Sequence, residues 1–456
     1  MSSLNIVILA AGRGTRMYSD RPKVLQPLAG RSLLAHVLDA ARKLSPQKIC
    51  VVYGHGGELV PQTIAEVDII WVKQEPQLGT GHALLQALPH VEARGRILVL
   101  YGDVPLITHY TLSRLLQEQA PGTLGLLTVH LDDPAGYGRI LRNPEGKITG
   151  IVEQKDADET QRLIQEINTG IMALPGEPLP NWLNQLSNNN NQKEYYLTDI
   201  IGLAVGDGFT IKAVQPEHLA EVRGINSKAQ LAQLERWYQM RYAENLLAQG
   251  VTLCDPARVD VRGELSCGRD VEIDVNCIFA GRVELGDGVR IAANCYLENV
   301  SIAAGTHVAA FSHLVEAKIG NHCKIGPYAR IRPGTELQEA VHIGNFVEVK
   351  NSAIGLGSKV NHLSYVGDTT IGKNVNVGAG TITCNYDGAN KHRTIIEDDV
   401  FIGSDTQLIA PVTVSKGATI GAGSTITRDA PPGELTLARA KQTSISGWQR
   451  PQKRPK

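Results

Sequence analysis

Apolar and polar positions fall into two regimes along the chain, and the change comes near residue 250. Up to about Asn226, continuously apolar runs alternate with amphipathic stretches. NIVILAA (5–11), KICVVYG (48–54), RILVLYGD (96–103) and LGLLTVHL (124–131) read as buried strands. SLLAHVLDAARKL (32–44) and HALLQAL (82–88) read as the helices between them. Buried strands alternating with helices predict an α/β domain with a mostly parallel sheet. The polar run 188–191 predicts a surface loop.

A helix follows with a clear start. Ser227 and, three places on, Gln230 fit a capping box, in which each side chain satisfies an orphan backbone N–H. Leu231, Leu234, Tyr238, Tyr242 and Leu246 mark one face, and Gly250 suits the end. This is read as a linker helix. Beyond it the apolar period becomes six: Ile273, Phe279, Leu285, Ile291 and Leu297, then Ile319 to Val349, then Ile396 to Ile426. Neither a strand nor a helix has that period, so the segment is a hexapeptide repeat. Three hexapeptides close one triangular coil with the branched residue inward, and small residues often follow it, as in Ile319-Gly320 and Ile402-Gly403. From Val259 to Thr427 this makes roughly nine coils, about 45 Å of prism at the spacing of neighbouring strands. Cys277 and Cys295, eighteen residues apart, should stack as buried thiols.

Composition narrows the class. The 456 residues are too many for one typical core. With 45 basic and 46 acidic residues, a broad nucleic-acid surface is not expected. Aromatics are scarce at 5% while glycines number 46, as a repetitive packing of small and branched side chains requires. Seven cysteines without a CxxC pair indicate neither a disulfide framework nor a zinc site, and reduced thiols in a cytoplasmic protein are the expectation. The run 5–11 is too short to span a membrane and has no basic flank, so no membrane anchor or signal peptide is expected.

The first chemical constellation is LAAGRGTRM (9–17) with Pro22 and Lys23. A strand enters a loop carrying Gly12 and Gly14, with Arg13, Arg16 and Lys23 close behind. Glycines let backbone N–H groups approach a phosphate, and the cations neutralise it. The whole string resembles the signature of sugar-phosphate nucleotidyltransferases, which implies a Rossmann-like domain. The likeness continues through Gln74, QLGTGHA (77–83), YGDVPL (101–106), GYGRI (136–140), Glu153, Asn168 in INTGI, and Asn226 in RGIN. By that resemblance Leu9, Ala10, Ala11, Gly12, Lys23, Gln74, Gly79, Thr80, Tyr101 and Gly102 bind UTP. Asp103 and Asn226 hold Mg²⁺, while Gly138, Glu153 and Asn168 bind the sugar. An Asp and an Asn offer hard oxygens and leave room for waters and phosphates.

The second constellation lies in the prism. His362, two places after inward Val360, should sit at a corner and face out. Arg332 and Lys350 on preceding coils suit a phosphate, with Tyr365, Asn376, Asn385 and Tyr386 nearby. TCNYDGANKHRT (383–394) interrupts the repeat, and such loops often cover or build sites. Arg439, Lys441, Arg450, Lys453, Arg454 and Lys456 form a basic tail suited to the phosphates of coenzyme A.

Together these features resemble the bacterial bifunctional N-acetylglucosamine-1-phosphate uridylyltransferase/glucosamine-1-phosphate acetyltransferase family. The resemblance implies a uridylyltransferase domain over 1–228, a linker helix over 229–249, and an acetyltransferase domain over 250–456 built as a left-handed parallel β-helix. That handedness is an exception to the right-handed crossover rule. It also implies a homotrimer, with acetyl-CoA in the grooves between subunits. His362 becomes the general base that deprotonates the amine. Arg332, Lys350, Tyr365 and Asn376 hold glucosamine-1-phosphate; Ala379, Asn385, Tyr386, Ser404, Ala422 and Arg439 bind acetyl-CoA. In the first domain, Arg16 and Lys23 with Mg²⁺ align UTP and neutralise charge. Two other readings stay open: a nucleotidyltransferase whose prism only oligomerises or regulates, and a non-catalytic scaffold. Neither accounts for His362, the insertion and the tail together.

Overall fold

The computed structural model describes residues 3–12, 14–54, 59–92 and 94–453; Arg13, Arg454 and Lys456 lie outside them. The chain divides into two compact units, 1–238 and 239–456.

In the first unit, nine strands among the described residues share one sheet. Its path runs Thr210–Val214, Thr123–His130, Glu166–Pro175, Arg96–Tyr101, Leu4–Leu9, Lys48–Tyr53, Ile69–Lys73. Leu4–Leu9 is parallel to both neighbours, whereas Glu166–Pro175 is antiparallel to both of its own. The four strands expected from apolar runs are present. Of the other five, Glu166–Pro175 escapes that reading because polar residues interrupt it, as Glu166, Asn168 and Thr169 do in EINTGIMALP, and the rest are only four or five residues long. Along the first strand, Ile6 and Ile8 pack on one face with Leu34, Leu98 and Leu112, while Val7 and Leu9 pack on the other with Leu84, Val99 and Leu183. Both faces are therefore buried under helices, as a mostly parallel sheet demands.

Helix Lys228–Ala248 is continuous. Ser227 Oγ accepts the Gln230 N–H at 3.3 Å, as a capping box requires. Gln230 Oε1, however, accepts from the Asn226 N–H at 2.8 Å, one residue earlier than expected. The helix start is thus tied to the backbone of Asn226. Gly250 closes the end with φ +91°, which suits a residue without Cβ.

The second unit is a parallel β-helix. One of its sheets stacks eleven short strands, among the described residues, from Thr252–Leu253 to Leu435–Thr436. Every inward position expected from the period of six is buried, from Ile273 to Ile426. Cys277 and Cys295 stack as buried thiols, pushed up to about 12 and about 11 by desolvation. The period is not uniform. Ile325 lies over Ile343 after eighteen residues, but Ile343 lies over Val360 after seventeen. The shorter coils lose their residue at one corner, where Asn299, Glu316, Asn351 and Asp368 take left-handed backbone (φ 46–52°) and turn the chain more tightly. Between Ile371 and Ile396 the offset is twenty-five, which locates the insertion on that corner.

Phe279 is 1% exposed in the second strand of the longer sheet, Cys277–Leu285. Phe279→Ala is expected to cost about 3–5 kcal/mol. The loss should appear as faster hydrogen exchange in the flanking coils, with the sheet of the first unit unaffected.

Candidate functional site

The first candidate site is built where two parallel strands end side by side. Leu9 is in register with Tyr101, and the order Ile69–Lys73, Lys48–Tyr53, Leu4–Leu9, Arg96–Tyr101 reverses direction between these two. Open α/β sheets bind ligands at that switch point. A cavity of about 560 Å³ opens there. It is lined by ten of the residues singled out in the sequence: Leu9, Ala10, Ala11, Gly12, Lys23, Gln74, Gly79, Thr80, Tyr101 and Asp103. Gln77 and Glu194 line it too. Gln77 lay inside the quoted string, whereas nothing around Glu194 in the sequence marks it. Gly14 is required for two reasons: its φ is +62°, and a Cβ there would meet Lys23 Cβ at 2.7 Å.

The charges converge. Lys23 Nζ donates to Asp103 Oδ2 and, at 2.9 Å, to Asn226 Oδ1. Asp103 and Asn226 are far apart in sequence, and they meet because the Ile225 N–H bonds the Asp103 carbonyl at 2.9 Å. Two hard oxygens therefore point at one cation, here an ammonium. The described residues hold no group of three His, Cys, Asp or Glu side chains suited to a metal. Gly102 sits behind the cavity, its N–H on the Leu9 carbonyl. Arg16 is exposed on the turn Thr15–Met17 and is not part of the cavity wall.

Gly138, Glu153 and Asn168 meet one another beside Tyr101. The Gly138 carbonyl accepts the Asn168 N–H at 2.9 Å, and a Cβ on Gly138 would come within 3.3 Å of Glu153 Oε1. Burial raises the Glu153 carboxyl above its ordinary range, against a hydrogen bond from Thr198 that lowers it. Burial raises the Tyr101 phenol as well, helped by the negative charges of Glu153 and Asp103 on either side. Gly170 gives that ring its room, since a Cβ there would lie 2.4 Å from Tyr101.

In the β-helix, His362 ends strand Lys359–His362 at a corner and is exposed, as expected. The seventeen-residue coil sets it over Asn345, whose Oδ1 lies 2.9 Å from His362 Nδ1. With the amide oxygen accepting, the ring proton is on Nδ1 and Nε2 keeps its lone pair. Asn345 is the partner that the sequence reading missed.

The same corner continues as a column of small residues. The His362 carbonyl accepts from Gly380, the Ala379 carbonyl from Asp405, and the Ser404 carbonyl from Gly423. Arg439 Nη1 then bonds the Ala422 carbonyl at 2.7 Å. Ala379, Ser404 and Ala422 thus rise one coil at a time from the histidine, a column of short side chains along the edge.

Across one face of the prism lies a cationic cluster. Arg332 and Lys350 are stacked on successive coils; Arg332 pairs with Glu348 at 2.7 Å and Lys350 with Asp368 at 3.4 Å. Burial disfavours the Asp368 charge. Hydrogen bonds from Asn351 and Asn385 and the Lys350 ammonium nevertheless hold its carboxyl below the usual range. The insertion folds back as a small hairpin, with Tyr386 bridged to Lys391 and His392 paired to Asp387 at 2.7 Å. It adds a third cation, Lys391, whose ammonium is held below its usual value by contact with Lys350 and repulsion from it. Tyr365 joins the cluster through its hydroxyl, 3.5 Å from the Asn385 amide nitrogen. Tyr386 is exposed on the insertion. Asn376 is not brought to this face: its strand pairs with Lys359 and Phe401 on the neighbouring sheet.

Comparison with known proteins agrees with both halves. A family model of the MobA-like NTP transferase domain matches residues 6–169, and one of the bacterial transferase hexapeptide (six repeats) matches 316–351 and 393–428. The bifunctional protein GlmU of Nitrosospira multiformis is 64% identical, aligned over 100% of this chain and 99% of its own. That of an Azoarcus species is 62% identical over 99% and 100%, and that of Thiobacillus denitrificans 64% over 98% and 98%. Relatives of this identity run the full length of a chain that carries both the switch-point cavity and the histidine corner, and the chain therefore belongs to the family of bifunctional GlmU proteins.

Proposed function

We propose that the chain makes UDP-N-acetylglucosamine in two steps, each performed by the site just described in its own unit. In the β-helix, glucosamine-1-phosphate sits with its phosphate on Arg332, Lys350 and Lys391 and its amine toward His362. Nε2 takes a proton from the amine as nitrogen attacks the thioester carbonyl of acetyl-CoA. The carbon–sulfur bond breaks, and coenzyme A leaves as the thiol once protonated. The donor lies along the column Ala379, Ser404 and Ala422, with Arg439, Asn385 and Tyr386 at its margins.

In the first unit, the phosphate oxygen of N-acetylglucosamine-1-phosphate attacks the α-phosphorus of UTP and pyrophosphate leaves. The base lies against Gln74, Gly79 and Thr80, and the sugar against Gly138, Glu153 and Asn168. Lys23 and Arg16 neutralise phosphate charge. The two oxygens converging on Lys23 Nζ fit a Mg²⁺ that takes its other ligands from phosphates and waters. When bound, Mg²⁺ supplies Lewis-acid polarisation of the phosphates. This chain's own part is to align the two substrates and exclude misdirected attack.

Assembly through the β-helix is supported by an exposed aromatic ladder beside the histidine corner. Phe311, Tyr328 and Phe346 stack at 4.9 and 5.2 Å on successive coils and are about half exposed. Apolar surface of that kind marks an interface, and we assign it to a homotrimer in which the acetyl-CoA groove is completed by a neighbour. No helix among the described residues is long and apolar enough to cross a membrane, and the cysteines are unpaired, in keeping with a cytoplasmic enzyme.

The observation that carries the bifunctional reading is the His362–Asn345 hydrogen bond, because a prism serving only assembly has no use for a histidine set as a base. A coupled assay tests it. With glucosamine-1-phosphate, acetyl-CoA, UTP and Mg²⁺, both free thiol and pyrophosphate are expected, the latter dependent on acetyl-CoA. Pyrophosphate only from added N-acetylglucosamine-1-phosphate, with no thiol, would overturn the acetyltransferase assignment.

A further inference from the structure

Gln74 is 4% exposed at the cavity wall, and its amide is gripped from behind by two acceptors. Nε2 lies 3.0 Å from the Gly79 carbonyl and 3.1 Å from His82 Nδ1. A carbonyl oxygen only accepts, so the NH₂ end of the amide must face Gly79. Its second hydrogen then requires an acceptor, which makes His82 Nδ1 the unprotonated ring nitrogen and puts the ring proton on Nε2. Gln86 Nε2 lies 3.2 Å from that ring nitrogen, so this tautomer has the Gln86 amide turned over, its oxygen accepting the Nε2–H. Desolvation lowers the His82 pKa and keeps the ring neutral, as an acceptor must be.

With both amide hydrogens committed, Gln74 offers a ligand only its Oε1. We propose that His82 is a specificity-determining positioning residue: by locking the Gln74 amide with its oxygen toward the cavity, it selects nucleotides whose base carries a proton on N3. The inference rests on the placement of the base against Gln74 given above. Uracil N3–H donates to that oxygen. Cytosine presents a lone pair at the same atom, so two acceptors would face each other. Turning the amide over would repair the cytosine contact, but it would set Oε1 against the Gly79 carbonyl and force His82 to move its proton to Nδ1, giving up the Nε2–H that Gln86 accepts. His82 therefore acts without touching the base, and it stands in the first turn of Thr80–Ala87, where its ring reaches back to Gln74.

The test is the ratio of kcat/KM for UTP to that for CTP in the full chain. His82→Phe and His82→Ala, two variants in case one fails to fold, should each lower that ratio about tenfold, mainly through a weaker KM for UTP. His82→Asn, whose side-chain oxygen can replace Nδ1, should restore it. The ratio of UTP to dTTP should not move, since both bases carry N3–H. Equal losses with UTP and CTP in the folded His82 variants would overturn the inference and leave the Gln74 placement standing. A wild-type UTP to CTP ratio in Gln74→Leu would remove that placement and the inference with it.

Discussion

His362→Ala is expected to cut acetyl transfer by about 10²–10⁴-fold while uridylyl transfer from added N-acetylglucosamine-1-phosphate stays at the wild-type level. The amine of glucosamine-1-phosphate is a nucleophile only after losing a proton, and the other groups of the cluster are the cations Arg332, Lys350 and Lys391, the Asn385 amide, the Tyr365 phenol, and the carboxylates Glu348 and Asp368, both already paired to cations. None of these accepts a proton at neutral pH as the Nε2 lone pair does, with Nδ1–H anchored on Asn345. His362 is exposed, so its removal leaves the coil packing in place and the loss is chemical rather than structural. Thiol release and pyrophosphate release, followed separately on one preparation, give the answer. A variant that lost both reactions, or neither, would end the assignment of His362 as base.

The mirror experiment is Asp103→Asn. It keeps the side chain's shape and removes its charge, leaving two neutral amide oxygens where a carboxylate and an amide had converged. Uridylyl transfer should fall by about 10²–10³-fold, and excess Mg²⁺ should recover only part of it. Acetyl transfer should be untouched. Binding of Mn²⁺ in the presence of UTP, followed by its paramagnetic signal, should weaken in parallel. Undiminished metal binding with the same loss of rate would move Asp103 from metal ligand to partner of Lys23 alone.

Much of this was legible in the sequence, and what was not had a physical cause. The period of six declared itself because each inward residue has a fixed neighbour above and below, and the runs 273–297, 319–349 and 396–426 came out cleanly. They stop where coils shorten by one residue, at Asn299 and Asn351, so the coils between were invisible to a fixed period. The same residue hid Asn345. With coils of eighteen, His362 would stand over Gly344; with seventeen it stands over an amide. Arg332 and Lys350 were foreseeable as neighbours because they happen to lie a full eighteen apart. Lys391 was not, since its position depends on how the insertion hairpin folds. In the first unit the glycine-rich string was readable as local chemistry. That Lys23 would bridge Asp103 and Asn226 was not, because a backbone hydrogen bond from Ile225 to the Asp103 carbonyl, rather than spacing, brings those two together. Asn376 shows the reverse case: near in number to Tyr365, it is carried by the next turn of the chain onto another sheet.

The stacked coils also set an order of failure. In a solenoid each layer is held only by the layers on either side, so stability adds along one dimension and opening starts at the ends. His362 is four strands from the C-terminal end, beneath Asn376–Val377, Phe401–Ile402, Thr419–Ile420 and Leu435–Thr436. Ser404 and Ala422 lie nearer that end still, and Arg439 closes it with a hydrogen bond to the Ala422 carbonyl. Warming from that end therefore peels the column proposed for the donor before it reaches His362. The column proposed for acetyl-CoA is the part of the rod with the shortest lever against thermal fraying, and whatever occupies it also splices the end of the rod shut.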